Sequence, residues 1–296
     1  MPINVTLEPG QHWNLSQEIR GSTIELDIEE LTMPTGSYIT CTGKSLILKV
    51  NKLIKTDVEL EEDNNINFDI GIFGKDGANG ENGADGRPGR IGDAGAKGRG
   101  ASGNAIGGTG KPGEEGFDGH EGDVGTNGAD GEEVMESEIT ILDLNKSVTI
   151  KAVPGSGGRG GNGGRGGPGG SGGAGGTGGS SGADARGGGD GAVGGNGGPG
   201  GLGGNGGDAG SGGEVNVFVP VGKISRVRKS TPTPNPGKPG NGGKGGDAGR
   251  GGSGGKTGGV LYSDGKRGAG GKNGSSGDPG ASGKKGSPAI INVSEV

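Results

Sequence analysis

Short stretches of alternating apolar and polar residues open the chain: VTL, STIELDIE, SYITCT and SLILKV, all within residues 1–69. A period of two places one set of side chains on one face, which predicts half-buried strands. Turn signals at Pro9-Gly10, Pro34-Thr35-Gly36 and Gly43 separate them, so this segment reads as four to six strands. The same pattern returns in SEITILDLNKSVTIKAV (137–153), EVNVFVPVGKISRVRK (214–229) and PAIINVSEV (288–296). ILKVNK (47–52) is echoed by ILDLNK (141–146) and more loosely by VFVPVGK (217–223), as expected if the later segments belong to one framework with the first.

Between these segments the hydrophobic pattern disappears and a period of three replaces it. Glycine falls at every third position from Gly71 to Gly98 and from Gly107 to Gly131. Glycine triplets run again from Gly155 to Gly179 and from Gly191 to Gly213, then from Gly237 to Gly259 and from Gly265 to Gly286. Each pair of runs is joined by a short irregular loop, at 99–106, 180–190 and 260–264. The chain therefore divides into a β-rich head (1–69), a glycine module (70–132), a β-segment (133–154), a second module (155–213), a β-segment with a Pro linker (214–236), a third module (237–287) and a closing strand (288–296).

A period of three with obligatory glycine predicts an extended, left-handed helix of three residues per turn. Collagen is the other user of that geometry. Only 15 prolines, a frame that breaks in mid-module and many doubled glycines argue against it. The expected fold is a small all-β framework bearing a six-helix antiparallel polyglycine-II bundle made of three hairpins. Glycine is needed wherever two backbones touch, because a Cβ there would hold them apart. The second module is almost wholly GGx and is expected in the middle. The first is Gxx with charged residues such as Lys75, Asp76, Asp85 and Arg87, and is expected as an outer layer. At ~3.1 Å per residue such a rod is about 75 Å long.

Composition narrows the function. Of 296 residues 84 are glycine, 25% are hydrophobic and 2% aromatic, so no conventional apolar core can extend through the whole chain. The net charge of −6 comes from 35 acidic and 29 basic residues that look well mixed, which argues against a nucleic-acid partner. Cys41 is the single cysteine, so no intrachain disulfide forms. No apolar run approaches a membrane span, and the N-terminus has no Sec-type signal, which leaves a virion or an extracellular surface reached by a non-Sec route as the favoured location.

Triplet runs such as GGRGGNGGRGG and GENGADGRPG resemble polyglycine-II bundle proteins, among them springtail antifreeze proteins and the tail-tip adhesins of T-even-type phages. The resemblance covers Gly71–Gly286 in style, without an aligned motif. It implies either an ice-binding face of small residues, or loops presented to a receptor at a distal tip.

No catalytic, cofactor or metal site is expected. His12 and His120 are the only histidines and stand in no catalytic motif, and the Gly43-Lys44-Ser45 stretch lacks the earlier glycine of a phosphate loop. GGNGGDA (203–209) and GGKGGDA (242–248) start like a calcium-binding nonapeptide but lack its large apolar position. The loops carry the candidate ligand-binding residues: Asn104 and Ile106, Asp184 and Arg186, and Val260, Leu261, Tyr262 and Asp264. Trp13 is the candidate attachment residue of the head. The function expected is that of a non-enzymatic adhesin or tip-type recognition protein. Its loops would meet a cell-surface carbohydrate or protein receptor, and its β-head would join a larger assembly. Ice binding and a structural spacer or matrix role are the alternatives.

Overall fold

The computed structural model describes residues 3–57, 67–100, 107–180 and 185–296. Its strands fall alternately into two sheets. β1 (Ile3–Thr6), β3 (Thr23–Pro34), β5 (Ser45–Thr56), β7 (Ser137–Ile141), β9 (Glu214–Val219) and β11 (Ile290–Glu295) line up in that order as a six-stranded sheet. β2 (His12–Asn14), β4 (Tyr38–Thr42), β6 (Ile70–Phe73), β8 (Val148–Val153) and β10 (Val227–Ser230) form a second sheet of five. Every neighbouring pair is parallel. The chain thus winds as a two-sheet coil, laying one strand in each sheet per circuit, an architecture in which each circuit contacts its neighbours along one axis.

Alternation along each strand gives the coil its inside. Ile24 and Ile28 of β3, Leu46, Leu48 and Val50 of β5, and Ile139 of β7 are fully buried on one sheet. Ile39, Ile70, Ile72 and Ile150 answer them from the other, and all belong to one apolar cluster. The only α-helix among the described residues is α1 (Leu15–Glu18), four residues long, at the return from β2 to β3.

The six-helix antiparallel polyglycine-II bundle on a small β framework is corrected by this structure. Two extended parallel sheets, not a minor framework, supply the regular secondary structure, and the glycine runs form neither α-helix nor strand. The physical reason lies in the hydrogen bonds. Runs 74–98, 107–132, 155–179, 187–210, 237–258 and 265–286 are extended segments whose N–H groups bond to carbonyls of other runs, one in every three residues in 74–98, 237–258 and 265–286 and two in every three in the other runs.

The coil explains where the modules emerge. All the returns from the five-stranded sheet to the six-stranded one lie at one corner. α1 occupies the first, Gly43-Lys44 alone makes the second, and the three glycine modules fill the rest. The modules are therefore stacked side by side by the coil beneath them. Run 155–179 receives N–H groups from run 74–98, as at Gly83 to Asn162 (2.8 Å), and donates to run 107–132, as at Gly167 to His120 (2.8 Å). It also donates to run 237–258, as at Gly163 to Asn241 (2.9 Å). Run 187–210 lies between 107–132 and 265–286 in the same way. Because the second module has neighbours on both sides, it needs the doubled glycine. A Cβ on Gly167 would sit 2.0 Å from the Arg87 carbonyl oxygen, a distance no backbone can accept.

The side chains of the first module do more than face water. Asp76, Asn79, Asn82 and Asp85 each accept a backbone N–H of run 155–179, at Ser156, Arg159, Asn162 and Arg165, over 2.6–2.9 Å. Asn162 passes the pattern on, accepting the Asn241 N–H at 2.9 Å. An Asn or Asp in the file thus satisfies the donor that the glycine-to-carbonyl bonds leave over.

Candidate functional site

Far from the sheets, the described ends of the glycine runs meet around Arg186. Its main-chain carbonyl accepts the Gly258 N–H at 2.9 Å, and its Nε donates to the Gly107 carbonyl at 3.2 Å. One arginine therefore ties together the ends of all three modules. Its guanidinium lies 5.3 Å from the centre of the Tyr262 ring, and its Nη1 donates to the Tyr262 hydroxyl. A cation over an aromatic face is attractive by about 0.5–1 kcal/mol where solvent reaches it.

The loop that carries Tyr262 is closed by Asp264. Its Oδ1 accepts the Thr257 N–H and its Oδ2 accepts the Lys256 Nζ, both at 2.8 Å. The hydrogen bond from Lys256 and then the one from the Thr257 backbone hold the Asp264 carboxyl below the usual aspartate range, and the same pairing raises Lys256. Thr257 Oγ1 donates to the Gly259 carbonyl at 2.9 Å and completes the turn. On this braced loop Val260 is 100% exposed and Leu261 77%.

Arg186, Tyr262, Leu261, Val260 and Asp264 are thus brought together. Asn104, Ile106 and Asp184 lie outside the described residues. Trp13 stands apart, on β2 at the edge of the five-stranded sheet, where it packs against the apolar cluster and donates from Nε1 to Glu18 at 2.8 Å. Beside it runs an aromatic file that the sequence reading missed. His12 stacks on Tyr38 at 4.4 Å, Tyr38 meets Phe68 edge-on at 5.5 Å, and Phe68 meets Phe73 at 5.7 Å. These rings lie 26, 30 and 5 positions apart in sequence, and only the coil makes them neighbours.

Among the described residues no cluster of three or more His, Cys, Asp or Glu is placed to hold a metal, and no helix is long and apolar enough to cross a membrane. Burial raises the Cys41 thiol above its ordinary value, which keeps it protonated and unreactive in the folded coil.

Comparison with known proteins leaves the chain without a family. No family model matches it, and no curated protein does. Among solved structures it is weakly similar to the nine polyproline type II helical bundle springtail antifreeze protein from Granisotoma rainieri. The identity is 24% over 66% of this chain and 100% of that one, with a TM-score of 0.08. A superposition that poor carries no argument.

Proposed function

We propose that the protein is a non-enzymatic attachment protein that recognises a surface ligand at the tip of its glycine runs. The coiled sheets dock it to a larger assembly, with Trp13 at the docking end. The tip meets a cell-surface carbohydrate or protein receptor, on a virion or another extracellular surface. The observation that supports this reading is the Val260–Leu261 pair. Two apolar side chains are held in water on a loop that Asp264 closes and Arg186 anchors. Such residues usually turn inward, and an exposed apolar pair flanked by Arg and Tyr has the make-up of a contact site.

Replacing Val260, Leu261 and Tyr262 by Ser in one chain tests it. Binding of the labelled protein to immobilised cell-surface glycans and to intact cells should fall at least tenfold, while the thermal melt stays unchanged. Binding within twofold of the parent would overturn the reading.

A further inference from the structure

The charges that look mixed along the chain are sorted by the fold. Module 70–132 carries 11 acidic residues against six basic ones, and module 237–287 nine basic against three acidic. The second module, with three of each, lies between them. Among the described residues no backbone hydrogen bond joins the first module to the third. The acidic excess lies in run 107–132, with seven acidic residues against Lys111, whereas run 74–98 holds four of each; the body formed by the runs thus has an acidic run at one edge and a basic edge opposite.

The match goes beyond totals. Runs 107–132 and 265–286 flank run 187–210 on opposite sides, and both are bonded to it, which fixes their heights. Gly113 donates to Asp190 and Gly191 to Lys266, so Glu114-Glu115 and Lys266-Arg267 are level. Gly119 donates to Asn196 and Gly197 to Lys272, which levels Glu121 with Lys272. Gly131 donates to Asp208 and Ala209 to Lys284, which levels Glu132-Glu133 with Lys284-Lys285. The one acidic residue of run 265–286, Asp278, is level with the uncharged Thr126-Asn127 through Gly125 and Gly203. No level of this row sets like charges together. In the other row, runs 74–98 and 237–258, the levels are mixed: Asp93 matches Arg250, whereas Arg87 is level with Lys244.

From this we infer that the two edges are an interface between copies of this chain, related by sideways translation. Run 265–286 of one copy lies along run 107–132 of the next, in the same direction and at the same height. Each exposed ion pair contributes little, so the contact rests on their number and weakens as salt screens them. A translation does not close on itself, so the product is an open row. All its tips face the same way, and any weak affinity at a tip is multiplied by avidity. The inference stands on edge charge alone and survives if the tip binds nothing.

Two charge-reversed chains test it by sedimentation velocity in about 20 mM salt, well below the physiological screening regime. One carries Lys266→Glu, Arg267→Glu, Lys284→Glu and Lys285→Glu; the other carries Glu114→Lys, Glu115→Lys, Glu121→Lys and Glu133→Lys. The parent should sediment as oligomers that dissociate in 0.5 M salt, each variant alone as a monomer, and an equal mixture of the two as oligomers again. Carbodiimide coupling of the parent should join Glu115 to Lys266 and Glu133 to Lys284 between chains. A monomeric parent in low salt, oligomers formed by either variant alone, or coupling of Glu133 to Lys266 would each overturn the proposal.

Discussion

At Ile139 the sheets need a large side chain; at Gly167 the glycine runs accept none. Ile139 lies on β7 between β5 and β9, fully buried, and its strand is held by water-excluding side chains as much as by its ladder. Gly167 donates its N–H to the His120 carbonyl, and its own carbonyl accepts from Gly198 and lies against Gly119. Both regions pair the backbone groups that they bury, as any folded backbone must. The sheets do it with ladders of strands about 4.8 Å apart, covered by Ile, Leu and Val. The glycine runs do it by removing the side chain at each touching position, so that a segment can bond on several sides. A chain with 25% hydrophobic residues can afford the first device in only part of its length, and the second extends it with little apolar area.

The largest effect should come from giving the glycine runs a side chain where they touch. In Gly167→Val the new Cβ meets the Arg87 carbonyl oxygen at 2.0 Å, with no flexible group nearby to move. The runs must separate over several levels, at a cost of about 4–5 kcal/mol or more. Gly270→Ala is the control, because its Cβ meets nothing nearer than 3.4 Å; it should be neutral or slightly stabilising. Amide hydrogen exchange separates the regions. Gly167→Val should expose amides of run 74–98, such as Gly86 and Gly89, and of run 155–179, while β3, β5 and β7 stay protected. Equal behaviour of the two variants would break the distinction between touching and free positions.

Next in size is the opposite substitution in the sheets. Ile139→Ala opens a cavity between the two sheets and should destabilise the coil by about 2–5 kcal/mol. Cys41, buried in the same cluster, is a built-in reporter. Its alkylation by a neutral thiol reagent should speed up in Ile139→Ala and stay slow in Gly167→Val. Faster alkylation in both would mean that the sheets and the runs open as one unit.

The sequence made some of this legible and hid the rest for definite reasons. Triplet periodicity marks the six runs because glycine is required at each touching position, and the irregular loop at 260–264 marks where that requirement lapses. The parallel coil was hidden because its later circuits are separated by excursions of about sixty residues. The echo of ILKVNK in ILDLNK did select true neighbours, since 47–52 lies in β5 and Ile141 in β7. Its register was off by three, however, for Ile47 pairs with Glu138 and Val50 with Ile141. Glu138 against Ile47 is an outward-facing pair, and outward positions vary freely, so they leave no trace for an echo to follow. At the tip, Tyr262 and Leu261 stand out by rarity. The role of Arg186 did not stand out, because its partners Gly107 and Thr257 lie in other modules.

The smallest effect tests the Asn and Asp file. Asn162 donates its N–H to Asn82 and accepts the Asn241 N–H on its Oδ1, linking three runs at one level. In Asn162→Ala the Asn241 N–H loses its acceptor but turns to water at an exposed position, so the loss is that of one net hydrogen bond, about 1 kcal/mol. Asn162→Asp keeps the acceptor oxygen and should restore the parent's stability in a chemical melt of the runs. If Ala and Asp behave alike, the side-chain file is ornament on a backbone lattice that glycine alone sustains. If Asp rescues, the runs depend on a second, side-chain-borne set of bonds. The Asn162 side chain is then part of what holds the second and third modules together.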